Sequence, residues 1–243
     1  MTESQAICMW SGPRNLSTAV MRSFGARADM TVWDEPFYAP YLMTSGKDHP
    51  GRDEIIARHE TNADIVAAKC QAGAKTRYHF QKHMPHHMLE GFPLGWTRKA
   101  RHFFLIRHPA RVIASYGRTK ADMDMDDIGF VAQVQFYKKL SDETDKRPPI
   151  IDSFDILSQP QKALSALCEA INIPFDKAML SWSPGPRPED GIWAQYWYKS
   201  VINSRRFKPA HKTRPVIKDA HEALYAQSLP LYEHLKARKL QID

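Results

Sequence analysis

The chain has no apolar run long enough to cross a bilayer, so nothing in it reads as a membrane-spanning helix. Its start lacks the basic-then-apolar pattern of a secretory leader, and a cytoplasmic protein is expected. Cysteine is scarce and odd in number. Cys8, Cys70 and Cys168 lie far apart, which excludes a disulfide framework and a close-spaced zinc set; reduced core thiols are expected. No internal repeat or low-complexity tract is present. Acidic residues are missing from Gly191 to Lys218, a stretch that carries Lys199, Arg205, Arg206, Lys208, Lys212, Arg214 and Lys218. With a net charge of +7, that one-signed stretch favours an anionic partner. Nucleic acid and a multiply phosphorylated nucleotide both fit, and so does a merely solvated basic face.

What is present is ordinary for a soluble globular protein: 243 residues, 43% hydrophobic and 25% charged. That length suits one domain spanning residues 1–243. Strand and helix patterns alternate, which predicts an α/β fold: a three-layer domain with a central, mainly parallel sheet flanked by helices. Strands are predicted at Ala6–Trp10, Met30–Trp33, Thr76–Lys82, His102–Ile106 and Pro148–Phe154. Helices are predicted at Leu16–Arg27, Asp53–Gln71, about 110–120, 127–145, Pro160–Ile171 and about Asp219–Lys239. Residues 44–52 read as a loop. The Pro- and Gly-rich segment 183–192 reads as a functional, lid-like loop.

Two segments carry the chemistry. The first is Trp10-Ser11-Gly12-Pro13-Arg14-Asn15-Leu16-Ser17-Thr18, which follows a strand and opens a helix. Free N–H groups of a helix's first turn and the helix dipole together favour an anion. Ser17 and Thr18 add hydroxyls, and Arg14 adds a planar cation that can hold two oxygens at once. A Walker A loop requires G-x-x-x-x-G-K-S/T, and both the second glycine and the lysine are absent here. An ordinary P-loop kinase is therefore disfavoured. The second segment is Arg107-His108-Pro109 through Ser115. Arg107 ends the apolar run His102–Ile106, and ligands of open α/β sheets bind at the carboxyl edge of the strands. A cation and a hydroxyl so placed could clamp a phosphate. The plainer readings are a structural ion pair for Arg107 and a hydroxyl bonded to its own helix for Ser115.

Together these segments resemble the sulfotransferase family. Arg14-Asn15-Leu16-Ser17-Thr18 is similar to the family's 5′-phosphosulfate loop, Arg/Lys-Ser-Gly-Ser/Thr-Ser/Thr, with Asn15-Leu16 standing where Ser-Gly is usual. Leu16 thus replaces a glycine that lets backbone approach phosphate closely. Arg107 to Ser115 is similar to the family's R-x-P-x-x-x-x-x-S motif, which holds a 3′-phosphate. The resemblance implies a P-loop-like, nucleotide-binding transferase. Its co-substrate would be 3′-phosphoadenosine 5′-phosphosulfate (PAPS), and its acceptor a hydroxyl or amine of a small molecule or sugar.

The resemblance also implies site residues. Arg14 stands at the family's catalytic lysine or arginine. Two side chains compete as the base. His83, in Gln81-Lys82-His83-Met84-Pro85, resembles the K-T-H-x-P stretch of cytosolic sulfotransferases and is preferred, because histidine is the commoner proton-transfer group. Glu35, in Trp33-Asp34-Glu35-Pro36-Phe37, resembles the G-E-P stretch of bacterial and carbohydrate sulfotransferases. Arg187, Arg205 and Arg206 are candidates for a late loop that closes over the 3′-phosphate, with Arg187 preferred. Trp193, Tyr196, Trp197 and Tyr198 are candidate walls of the acceptor pocket, with core packing as the plainer reading. His79, His83, His86 and His87 are close in sequence but lack an H-E-x-x-H pattern, and no metal is expected. The rival readings are a kinase-like nucleotide-binding protein and a non-catalytic protein that binds nucleic acid or another polyanion.

Overall fold

The first strand, β1 (Gln5–Ser11), is buried along almost its whole length and sits at the centre of the sheet. It pairs in parallel with β3 (Tyr78–His83) on one side and with β4 (Arg101–Ile106) on the other. Beyond β3 lies β2 (Met30–Asp34), and beyond β4 lies β5 (Ile150–Asp152). The order is β2-β3-β1-β4-β5, all parallel. The computed structural model describes residues 4–120, 122–211 and 213–242; Lys212 of the basic stretch lies outside them.

Alternation along each strand builds two cores, one on each face of the sheet. Ile7, Met9, Phe80, Phe103 and Leu105 face one layer. It includes α1 (Ser17–Phe24), α2 (Tyr38–Ser45), α3 (Arg52–Arg58), α8 (Ser153–Ser158) and α9 (Pro160–Ala170). Cys8, Trp10, Phe104 and Ile106 face the other. That layer is formed by α4 (Ala63–Ala72), α5 (Pro109–Tyr116), α6 (Met125–Ile128), α7 (Phe130–Thr144) and α12 (Glu222–Lys236). Two short helices, α10 (Ala194–Trp197) and α11 (Lys199–Ile202), pack at the edge of the first core. All three cysteines are free and buried. Among the described residues no helix is long and apolar enough to cross a membrane.

Four departures from the sequence reading have local causes. The helix expected over Asp53–Gln71 is two helices, α3 and α4. Asn62 interrupts it by accepting hydrogen bonds from Asp64 N at 2.8 Å and Ile65 N at 3.2 Å, an N-cap that starts α4 afresh. The strand expected over Pro148–Phe154 stops at Asp152, whose carboxylate accepts from Phe154 N at 2.8 Å and caps α8. The helix expected to reach residue 120 ends at Tyr116, ahead of Gly117. Helix α2 is not among the helices expected from the sequence; its Pro40 lies in the first turn, where the missing N–H costs nothing.

The chain leaves β1 toward β2 on one side, and leaves β3 toward β4 on the other. The loops after these two neighbouring strands therefore part, and a crevice opens at the carboxyl edge of the sheet.

Candidate active site

A cavity of about 680 Å³ occupies that crevice. Its cationic end is built by the turn after β1. Arg14 and Leu16 both hold left-handed backbone, with φ of 61° and 79°. Leu16 therefore takes the conformation that glycine would take most easily, and the turn keeps its shape without the glycine. Asn15 is buried, and its Nδ2 donates to Leu105 O at 3.1 Å, which pins the turn to β4. No side chain caps the start of α1 and no acidic residue lies in its first turn, so its amides stay open beside the Ser17 and Thr18 hydroxyls.

The segment after β4 completes this end. Arg107 Nη1 donates to Arg14 O at 2.5 Å, and Arg14 Nε donates to Ser115 Oγ at 3.1 Å. Arg118 Nη2 donates to the same hydroxyl at 3.2 Å. Among the described residues, none of Arg14, Arg107, Arg111 and Arg118 has a carboxylate within ion-pair distance. Arg107 Nε is buried without a hydrogen-bond partner. Burial, with Arg111 and Arg14 close by, brings the Arg107 guanidinium down to about 10. Burial, followed by the Arg118 charge, lowers Arg14 as well. Like charges packed together around a hydroxyl and an open helix start have the chemistry of an anion site.

Another part of the cavity wall holds a buried charge cluster. Glu35 follows β2 with φ of 43° and reaches the cavity wall. Lys82, near the end of β3, donates from Nζ to Glu35 Oε1 at 2.5 Å and to Asp34 Oδ1 at 2.6 Å. Burial pushes the Glu35 carboxyl up, Lys82 opposes that, Asp34 adds to it, and the balance is upward. Burial alone would lower the Lys82 ammonium, but the two carboxylates outweigh it and hold Lys82 well above its ordinary value. Sequence reading does not single out Lys82. The available signal is a lysine two places after Phe80 in a buried strand, which requires a buried carboxylate nearby.

Of the sequence-named residues, the structure brings Arg14, Leu16, Ser17, Thr18, Glu35, Arg107 and Ser115 to the cavity wall, with Asn15 buried behind them. It does not bring His83 there. Alternation along β3 points Lys82 to the α1 face and His83 to the opposite one. There His83 is 1% exposed, stacks on Trp10 with ring centroids 4.5 Å apart, and pairs through Nε2 with Gln81 Oε1 at 3.1 Å. Burial holds its imidazole well below the usual range. The histidines that do line the cavity are His49, His86, His87 and His211.

Arg187 is also off the wall; its guanidinium lies 3.8 Å from Glu189, and its backbone N donates to Asp190 at 2.9 Å. Arg206 and Lys208 of the basic stretch reach the cavity instead. Trp193 is 2% exposed and donates to Asp34 at 3.1 Å, while Tyr196, Trp197 and Tyr198 line the cavity. Among the described residues no group of three His, Cys, Asp or Glu could hold a metal ion.

Residues 5–239 match the family model described as "Sulfotransferase domain". Two curated relatives from Arabidopsis thaliana, branched-chain-amino-acid aminotransferase-like proteins 1 and 2, are 36% and 35% identical over 98% and 96% of this chain. The chain spans 42% and 41% of their lengths. The fold is similar to the sulfotransferase domain of the Synechococcus PCC 7002 olefin synthase, at a TM-score of 0.60 and 20% identity, covering 99% of this chain and 98% of that one. It is similar also to a sulfotransferase from Alicyclobacillus acidocaldarius, at a TM-score of 0.54 and 11% identity, with 99% and 98% covered.

Proposed function

The chain belongs to the sulfotransferase domain family, and from that premise we propose that it moves a sulfuryl group from PAPS to a hydroxyl or amine of a small molecule or sugar. The observation that carries this reading is the gathering of Arg14, Arg107 and Ser115 at an uncapped helix start, with no carboxylate among the described residues to neutralise the arginines. The buried, unpartnered Arg107 Nε fits an anion that bonds to it. In this reading residues 14–18 receive the 5′-phosphosulfate, and Arg107 with Ser115 receives the 3′-phosphate. Arg206 and Lys208, rather than Arg187, are the late-loop cations that approach the nucleotide.

The donor supplies an activated sulfur: its bond to the phosphate oxygen breaks as a bond to the acceptor oxygen or nitrogen forms, leaving 3′-phosphoadenosine 5′-phosphate. Arg14 lies beside the forming charge on the phosphate and stabilises it without giving up a proton. Glu35 takes the acceptor's proton. Its raised affinity for protons makes it a stronger base than an exposed carboxylate, and it reaches the cavity where His83 does not.

The test is thermal stabilisation by 3′-phosphoadenosine 5′-phosphate, ATP and an oligonucleotide, compared side by side. The bisphosphate at about a hundredfold excess over its dissociation constant should stabilise the fold by about 2.7 kcal/mol. A shift with ATP and none with the bisphosphate sinks this reading.

A further inference from the structure

The two carboxylates at the end of β2 are held very differently. Asp34 is enclosed: Oδ1 accepts from Lys82 at 2.6 Å, and Oδ2 accepts from Tyr198 OH at 2.5 Å and Trp193 Nε1 at 3.1 Å. Glu35 has a single donor, Lys82, on Oε1. Among the described residues no hydrogen bond reaches Glu35 Oε2, which lies 4.0 Å from His87 Nδ1. The Asp34 side chain is 1% exposed and that of Glu35 is 12% exposed, on the cavity wall. Lys82 Nζ is itself used up, because its third bond goes to Tyr198 OH at 2.7 Å.

We propose that Lys82 and Asp34 are positioning residues for Glu35: they tie down one of its carboxylate oxygens and leave the other turned toward the acceptor. This rests on the reading of Glu35 as the base. One ammonium shared by two buried carboxylates leaves a net negative charge in the cluster. A proton that neutralises it goes to the carboxylate with fewer donors, which is Glu35.

The groups facing Glu35 are Asp34 from β2, Lys82 from β3, His87 from the turn after β3, Tyr38 from α2 and Tyr198 from the junction of α10 and α11. Burial keeps His87 neutral, and burial likewise keeps both phenols protonated. Asp34 and Lys82 are therefore the charged neighbours, and they act in opposite directions. Asp34 repels charge on Glu35 and draws Lys82 away from it; Lys82 attracts charge on Glu35.

Removing either neighbour should move the Glu35 titration, and the two movements should be opposite. The measurement is carbon-13 NMR of protein labelled at the glutamate carboxyl, with Glu35→Gln identifying the resonance. Asp34→Asn should lower the Glu35 midpoint by about one pH unit or more, and Lys82→Met should raise it by about as much. A midpoint unmoved by Asp34→Asn, or moved the same way by both variants, overturns the proposal. Where Lys82→Met does not fold, as judged by circular dichroism, Asp34→Asn alone decides: a downward shift sustains the proposal, and no shift or an upward one ends it. Bisphosphate stabilisation is measured on the same samples. Its absence speaks against the sulfotransferase reading, whereas an unmoved titration with that stabilisation intact counts against the positioning role alone.

Discussion

Arg14 Nε and Ser115 Oγ meet at 3.1 Å across 101 residues of sequence. The bond joins the turn after β1 to the helix after β4, and Arg107 ties the same turn through Arg14 O. Two motifs that are separate in the sequence thus form one cationic surface. Replacing Arg107 by Ala should cut affinity for 3′-phosphoadenosine 5′-phosphate by roughly tenfold to a hundredfold, since charge-assisted hydrogen bonds contribute about 1.5–3 kcal/mol. Calorimetric titration measures this; unchanged affinity removes the 3′-phosphate from Arg107.

Glu35 and His83 should separate cleanly in kinetics. Glu35→Gln should lower turnover by about a hundredfold to ten-thousandfold and leave bisphosphate binding intact. His83→Asn should instead destabilise the fold by about 1–3 kcal/mol, because it removes a buried ring stacked on Trp10 and leaves a gap. Turnover with a screened acceptor and urea denaturation of both variants decide which side chain carries the proton.

The buried pair of Arg22 and Asp190 fastens α1 to the segment 183–192, with Nη2 and Oδ2 2.5 Å apart and both side chains almost wholly enclosed. Arg22→Met strands the Asp190 charge and should cost about 3–5 kcal/mol. The double variant Arg22→Met with Asp190→Leu should recover much of that loss. Urea midpoints test both, and a single variant as stable as the parent argues that the pair is dispensable.

Stability should fall on mild acidification. His102 Nδ1 accepts from Trp10 Nε1 at 3.1 Å, and its Nε2 faces Thr97 O at 2.8 Å, so protonation sets a donor against a donor. Burial brings His102 down to about 4 and His86 down to about 3. Each depressed value means the unfolded chain binds the proton first. The stabilisation is complete above the unfolded value of about 6.5 and is lost as pH drops toward the folded ones. His102 accounts for about 3 kcal/mol of that loss at about 1.4 kcal/mol per unit. Urea midpoints from pH 7 to pH 4 should decline, and His102→Gln should flatten the slope.

Gly129 holds φ of 68° between α6 and α7, and a Cβ there would lie 2.9 Å from Pro13 Cδ in the turn after β1. Gly129→Ala should destabilise the protein by about 1–2 kcal/mol through backbone strain. It should also weaken bisphosphate binding by displacing Pro13. Binding that survives the substitution unchanged shows that the turn can shift without losing its amides.

The sequence alone determined the layer architecture and the two motif positions. Buried parallel strands are short apolar runs, and the turn after β1 and the Arg at the end of β4 are legible because strand, turn and helix signals are local. It also offered His83 and Glu35 as candidates for the base. Only the tertiary structure separates their positions, placing Glu35 on the cavity wall and His83 in the opposite core. His83 and Lys82 are adjacent residues, and alternation on a strand buried on both faces sends one to each core. Which face borders the cavity depends on the sheet order and on where the helices pack. The left-handed backbone of Leu16 was equally hidden, because a strained conformation on a non-glycine residue is imposed by its surroundings. Here Asn15 bonds to β4 and Arg107 bonds to the carbonyl of Arg14, and these long-range contacts hold a turn that the local sequence would not choose.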